Sequence, residues 1–433
     1  MVPNKIVFIG AASAAFGPRV IGEACRKAEI AGSSLVLVDI NGEALEVMTR
    51  WAKRVNAGYG SPLKIESTTD RLEALPDANF VIVSIAIERN ELWKKDWEIP
   101  LKHGIKQVLG ENGGPGGLSH SLRNIPIVLD IARDMERLCP KALMMIYTNP
   151  ENRITMAVER YTEIQAVGLC PGWGDGIVAK ATGVPQDDII LVNGGLNHFG
   201  WLLDMRRKST GEDLYPAFRA AAMAAPPDVL PLSRHLYEVY GYFPRPSDDH
   251  VGEYIGYAWQ FCGLEGYDFE EADRVRARQW ADVLAIANGD QEFVPTYGNQ
   301  AAQHGIGEPC RPGLEIIAGI ANGTPTYIPS MNVVNNGLIS NLPDWAVVEA
   351  PGVAGPDGLR GVQIGPLPKG IAALCRTQVG VQDLCVDAAV LGSRELALQA
   401  MLADPVVQDA EAGRKCLDEL LSVHAPYLPQ FSR

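Results

Sequence analysis

Lys5-Ile6-Val7-Phe8-Ile9-Gly10-Ala11-Ala12-Ser13-Ala14-Ala15-Phe16-Gly17, with Val20, Ile21 and Ala24 following at helical spacing, decides the fold class. An apolar run, a turn of small residues and then a helical pattern give the order strand, turn, helix that a dinucleotide site requires. Gly10 permits the sharp turn. Small side chains at Ala12 and Ala15 let the backbone approach a pyrophosphate, and the helix N-terminus offers free N–H groups to that anion. The glycines depart from G-x-G-x-x-G, so the stretch alone also suits a plain α/β unit that binds nothing. The next strand, Leu35-Val36-Leu37-Val38-Asp39, adds a carboxylate 29 residues after Gly10. Asp39 is placed to take adenosine ribose hydroxyls and to repel a 2′-phosphate, which points to NAD. The expected cofactor residues are Gly10, Ala12, Ser13, Phe16 and Asp39, with Glu88 in the loop Ile85-Ala86-Ile87-Glu88 facing the same cofactor.

Working outward, residues 42–58 read as a helix, Asn79 to Ser84 as a buried strand, 125–138 as a helix and Ala142 to Tyr147 as a strand. This alternation predicts a Rossmann-like, doubly wound parallel sheet. The stretch Gly110-Glu111-Asn112-Gly113-Gly114-Pro115-Gly116-Gly117 is too rich in glycine for a regular element, so it is a linker or a loop that approaches a ligand closely. Thr148-Asn149-Pro150 puts an amide at a strand end, where it can bond a polyol or simply turn before proline. After residue 200 the helical stretches lengthen, predicting an α+β second unit; the expected domains are 1–195, binding the cofactor, and 196–433. In the second unit, 251–260 reads as a helix that Ser247 or Asp248 can cap, 335–349 as turn and strand, and 369–403 as amphipathic helix covering the core or an oligomer contact.

With 433 residues, 47% of them hydrophobic, the chain can bury a large core. A net charge of -14 and a pI near 5.0 leave no basic field for nucleic acid or anionic lipid, and neither is an expected partner. No apolar run approaches the roughly 18 to 20 residues of a spanning helix. The N-terminus enters a strand without a signal-peptide layout, so the expected compartment is the cytoplasm. Eight scattered cysteines fit reduced thiols better than a disulfide framework.

Two strand ends carry metal-binding chemistry. Ile189 to Val192 runs into Gly194-Gly195-Leu196-Asn197-His198-Phe199-Gly200-Trp201, and Val167-Gly168-Leu169-Cys170 closes another apolar run. A thiol and an imidazole meeting at one sheet edge suit a divalent transition metal, although either alone is more often structural.

These segments, in order, resemble glycoside hydrolase family 4, the NAD-dependent glycosidases, over nearly the whole chain. The matching stretches are the Gly10 turn with Asp39, the Gly110 to Gly117 loop with Leu122-Arg123-Asn124-Ile125-Pro126, Tyr147-Thr148-Asn149-Pro150, Cys170, Gly195 to Phe199, Asp248-Asp249-His250 with Glu253-Tyr254, and Asn335 to Pro343 with Val347-Val348-Glu349. The closest members by this likeness act on unphosphorylated hexopyranosides or hexuronides. The resemblance implies a fold of the lactate and malate dehydrogenase type and a mechanism outside the two-carboxylate scheme. NAD takes hydride from C3 of the sugar, a base removes the C2 proton, the glycosidic bond eliminates, water adds and the hydride returns. A divalent ion, typically manganese, stabilises the charge that develops.

Carried over by position, Cys170 and His198 are the implied metal ligands, and Asn149, Arg123, Asn197 and His250 the implied substrate contacts. Asp248 falls on the C2 base, with Tyr240 and Tyr242 competing for that role, and Glu111 on an acid of the glycine loop. Relatives tend to be dimers or tetramers, so a homodimer or homotetramer is expected. Two departures stand out: Pro171 follows the metal-binding Cys170, and Asp249 replaces the arginine of the Asp-Arg-His motif. The second removes a cation beside the substrate. Arg245, three residues earlier, is a candidate to replace it; Arg206 and Arg207 are further candidates, although such a pair reads more readily as a solvated face. The rival readings are a dehydrogenase with His198 as acid-base, consuming its cofactor stoichiometrically, and an NAD-binding relative without activity.

Overall fold

β1 (Lys5–Ile9), β2 (Ser34–Val38), β3 (Lys64–Thr68), β4 (Phe80–Val83), β5 (Leu143–Ile146) and β6 (Ala166–Gly168) lie side by side in the order β3-β2-β1-β4-β5-β6, all parallel. This is the expected doubly wound half, seen in a computed structural model that describes residues 3–170, 172, 174–295 and 311–432. The inner strands are apolar without alternation because helices cover both faces, and Phe80 to Val83 and Leu143 to Ile146 are buried at every position. The helix Gly42–Gly58 matches its predicted bounds, and the Asn41 side chain caps it by accepting from Ala44 N.

The sheet does not stop at β6. It continues, antiparallel, through β7 (Ile189–Leu196), β8 (Phe199–Arg207), β9 (Phe243–Pro244), β10 (Thr326–Val334) and β11 (Val347–Gly355), in the order β6-β10-β11-β7-β8-β9, with β12 (Gly358–Gly361) pairing β11. One twelve-stranded sheet therefore runs from the dinucleotide turn to the hairpin that carries His198. Among the described residues, no helix is long and apolar enough to cross a membrane.

Three local expectations need correction. The glycine-rich loop is only half irregular, because the helix Gly114–Leu138 begins inside it. A Cβ on Gly116 would lie 2.4 Å from Gly110 O, and one on Gly117 2.4 Å from Asn112 C, so these glycines let the first turn of the helix pack on the loop. The helix expected over 251–260 is two short ones, Asp248–Gly252 and Trp259–Cys262. Between them Gly256 touches the backbone of Pro405, where a Cβ would come within 2.4 Å of Pro405 O. The helix expected over 369–403 breaks after Leu391: Gly392 takes φ 65 and the Ser393 side chain caps Arg394–Ala403.

Candidate active site

At the first βα turn, Gly10 has φ 89, and a Cβ there would lie 2.0 Å from Ser84 O. Only glycine fits. Gly10 N and Ala11 N both donate to Val38 O (2.9 and 3.1 Å), and Ala12 N donates to Asp39 Oδ2 at 3.0 Å. Ser13 Oγ accepts from Phe16 N at 3.3 Å, and the helix starts at Gly17, whose Cβ would meet Ala11 O at 2.4 Å. The fold thus gathers Gly10, Ala12, Ser13, Phe16 and Asp39 into one cradle, a shape that fits a dinucleotide. Glu88 is placed differently. It is exposed at φ 37 and accepts a hydrogen bond from Tyr427 in the C-terminal segment (2.7 Å).

Ser84, Thr148 and Cys170 follow the neighbouring strands β4, β5 and β6, so the carboxyl ends of four parallel strands, β1 included, open on one edge. Ile85 N donates to Thr148 Oγ1 (2.9 Å), tying two of these ends together. His198 reaches the same edge from the two-residue turn between β7 and β8, in a left-handed conformation with φ 56. Its Nε2 lies 3.8 Å from Cys170 Sγ. Its Nδ1 lies 3.0 Å from Asn112 Nδ2, and the His250 ring packs on it with centroids 4.2 Å apart.

Charges here are arranged around that pair. Burial pushes the Cys170 thiol up, but the His198 imidazole and the Arg245 guanidinium outweigh it and bring the thiol down to about 6. Burial disfavours a charged His198, yet Cys170 and Glu253 hold its pKa well above the ordinary imidazole value. Glu111, 3% exposed, takes a hydrogen bond from Arg89 Nη2 at 2.5 Å. Burial raises its pKa, but Arg89, His250 and His198 together carry it below the usual carboxylate range, so it is an anion at neutral pH. Glu151 goes the other way: burial, then the nearby Cys170, raises it well above that range. It accepts from Asn197 Nδ2 at 3.0 Å.

The residues fit a divalent cation. Glu111, His198 and His250 offer ligand atoms that all lie within 4.8 Å of one another, and Cys170 Sγ lies 3.8 Å from His198 Nε2. Asn197 Oδ1 and Asn112 Oδ1 are buried acceptors without a hydrogen-bond partner in the protein. Such a surplus of acceptors is what a bound cation and polyol hydroxyls satisfy. Mixed sulfur, nitrogen and oxygen donors suit a borderline transition metal.

Several predicted residues are placed elsewhere. Both Asp248 oxygens are engaged, accepting from Leu232 N (2.7 Å), Ser233 N (2.9 Å) and Ser233 Oγ (2.5 Å) at the start of the helix Pro231–Tyr240. Asp248 therefore caps a helix that precedes it, not the one it opens. If that is its whole role, Asp248→Ala costs about 1 kcal/mol of stability and leaves kcat of the folded enzyme nearly unchanged. A kcat loss of many fold at unchanged melting temperature makes it the base instead. Tyr240 packs edge-on to Trp201 (5.8 Å), and Tyr242 edge-on to Tyr215 (6.2 Å). Arg123, 2% exposed, bonds the buried Asp96 and Ser119. Asn149 stays half-buried at the strand end, its carbonyl accepting from Asn124 Nδ2. Arg245 is committed to Glu349 (2.7 Å) and to Gly172 O. Arg206 and Arg207 are paired with Asp204, Asp188 and Glu212. Pro171 lies outside the described residues.

The sequence reading missed Glu151, Arg89 and Asn112 altogether. Glu151 follows Asn149-Pro150 directly, so its place after a strand end was the available signal.

Residues 5–177 match the family described as Family 4 glycosyl hydrolase, and residues 194–407 the Family 4 glycosyl hydrolase C-terminal domain. The chain is 33% identical to an alpha-glucosidase of Erwinia rhapontici, over 98% of this chain and 99% of that protein. It is 32% identical to an alpha-galactosidase of Bacillus subtilis (strain 168), over 99% of this chain and 100% of that protein. The fold is similar to that of a 6-phospho-alpha-glucosidase from gut microorganisms, solved in complex with NAD and Mn2+: TM-score 0.84 and 22% identity, over 99% of this chain and 100% of that one. Malate dehydrogenase of Cryptosporidium parvum is a weaker structural likeness, with a TM-score of 0.53 and 16% identity over 90% of this chain and 99% of that one.

Proposed function

Because the chain belongs to glycosyl hydrolase family 4, we propose that it cleaves an uncharged hexopyranoside with the help of NAD and a divalent cation, most simply manganese. The observation that carries this reading is the meeting of Cys170 and His198, with Glu111 and His250, at the edge where the cofactor turn also opens. Bound there, NAD supplies a hydride acceptor and donor for the sugar's C3, and the cation supplies Lewis-acid polarisation of the sugar oxygens. The protein's own part is charge and position. Cys170 and His198 would hold the cation, and the Glu111 carboxylate, fixed by Arg89, would add a negative charge beside it. Asn197 spends its Nδ2 on Glu151 and keeps Oδ1 for a sugar hydroxyl. Glu151, favoured in its protonated form, stays neutral beside the thiolate and can donate a hydrogen bond to a sugar oxygen.

An uncharged sugar is supported by the guanidinium pairing. Among the described side chains, Arg89 and Arg245 touch the cluster, and each already faces a buried carboxylate, Glu111 and Glu349 respectively. Among the described residues, a uronate or a 6-phosphate would meet no guanidinium touching this cluster that is not already paired with a carboxylate, and a buried unpaired charge costs several kcal/mol. The relatives at 33% and 32% identity are named for glucose and galactose, and one at 31% is named a probable 6-phospho-beta-glucosidase, so it is the guanidinium pairing and not the relatives' names that carries this choice.

We place the enzyme in the cytoplasm as a homodimer or homotetramer. The described cysteines are all free, as a reducing compartment allows, and the exposed Leu391, Leu402 and Val423 on the C-terminal helices offer apolar contact surface. The test uses aryl α-glucoside and α-galactoside with Mn2+ and NAD at a level below the substrate. Aglycone released in large excess over NAD is the expected result, with hexuronide and 6-phosphohexoside slower by about two orders of magnitude. NADH accumulating one for one with product supports a dehydrogenase instead.

A further inference from the structure

Glu253 is 1% exposed and joins three segments that are far apart in the chain. Its Oε2 accepts from three successive amides, Glu111 N (2.6 Å), Asn112 N (2.5 Å) and Gly113 N (3.0 Å). Three N–H groups converging on one oxygen form an anion-holding concavity. The approach is close enough that a Cβ on Gly113 would lie 2.6 Å from Glu253 O. The other oxygen, Oε1, has no hydrogen-bond partner in the protein and faces His250 Nδ1 at 3.6 Å and His198 Nδ1 at 3.9 Å. Asn112, held by the same Oε2, places its own amide on His198 Nδ1.

We propose that Glu253 is the positioning residue of the site: one oxygen clamps the loop that presents Glu111, and the other sets the orientation of both imidazoles. Oε2 is taken up by the three amides and Oε1 faces the two imidazole nitrogens, so Glu253 acts through the residues that hold the cation. Outer partners of this kind fix ring orientation and ligand basicity. The inference rests on the reading of Cys170, His198, Glu111 and His250 as the cation site.

Two substitutions separate its two duties. Glu253→Gln keeps an oxygen for the three amides but removes the charge facing the imidazoles; Glu253→Ala removes both. The measurements are Mn2+ titration of the NAD-bound protein by calorimetry, amide hydrogen exchange over residues 110–113, and kcat and KM with an aryl hexoside. In Glu253→Gln we expect 10- to 100-fold weaker Mn2+ binding, roughly the range for an outer partner, a fall in kcat larger than the change in KM, and retained protection of 110–113. In Glu253→Ala protection of that loop is lost as well, while the melting transition shows a folded protein. Unchanged Mn2+ affinity and kcat in Glu253→Gln, or unchanged loop protection in Glu253→Ala, overturns the proposal. Wild-type protein that binds no Mn2+ would sink the cation reading by itself, and loop protection in Glu253→Ala then still decides whether the clamp exists.

Discussion

Cys170→Ser is expected to weaken divalent-cation binding by roughly 100-fold or more, since even outer partners are worth 10- to 100-fold, and to take hydrolysis with it. The reason is charge. A thiol brought down to about 6 by His198 and Arg245 is mostly thiolate at neutral pH, whereas a serine hydroxyl stays neutral and is a poorer ligand for a borderline metal. The pH dependence follows in sign: the cation displaces a proton from Cys170 below about 6 and from His198, whose pKa is held well above the ordinary imidazole value, so cation affinity of the metal-free wild type rises from pH 5 through pH 7 and goes on rising above it. Calorimetric titration with Mn2+ across that range reads both effects, and NAD binding to the serine variant serves as the control for intact folding. Wild-type activity in the serine variant after chelation would remove the cation from the reaction.

The second large effect concerns the cofactor. Protein stripped of NAD is expected to lose glycoside cleavage entirely within detection, and micromolar NAD to restore it without net NADH. Run in heavy water, the restored reaction is expected to leave deuterium at C2 of the released sugar, because on the proposed route oxidation at C3 is what makes the C2 proton removable. An ordinary glycosidase, with two carboxylates and an oxocarbenium-like transition state, has no reason to exchange that position. Nuclear magnetic resonance of the product gives the answer. Cleavage without NAD, or a product with no deuterium at C2, would show that the site works in another way.

The parallel half of the fold was legible because its signals are local. Val7 and Val81 sit in unbroken apolar strands, Gly10 ends one of them and Asp39 the next, and no distant residue is needed to interpret them. The antiparallel extension was not, since β10 and β11 reach β6 and β7 from more than a hundred residues away. The same distance hid the role of Glu253, whose Oε2 binds amides 140 to 142 positions earlier through backbone groups that carry no sequence signature. Cys170 and His198 could be paired because each closes a strand. Asp248 shows what motif matching leaves out: its carboxylate also serves the helix Pro231–Tyr240, through bonds that spacing cannot foresee. Arg123 is similar, since a buried Asp96 on another helix absorbs its charge.

His198 occupies the tip of the β7 to β8 hairpin with φ 56, a conformation in which a side-chain-bearing residue costs of the order of 1 kcal/mol and glycine costs almost nothing. Asn197 immediately before it would make Asn-Gly the easy way to build this bend. The imidazole is therefore kept at a spot where the chain's own geometry argues for no side chain at all. Stability drawn from the strands on either side sustains that choice, and the bend behaves as a part shaped for chemistry, not for folding.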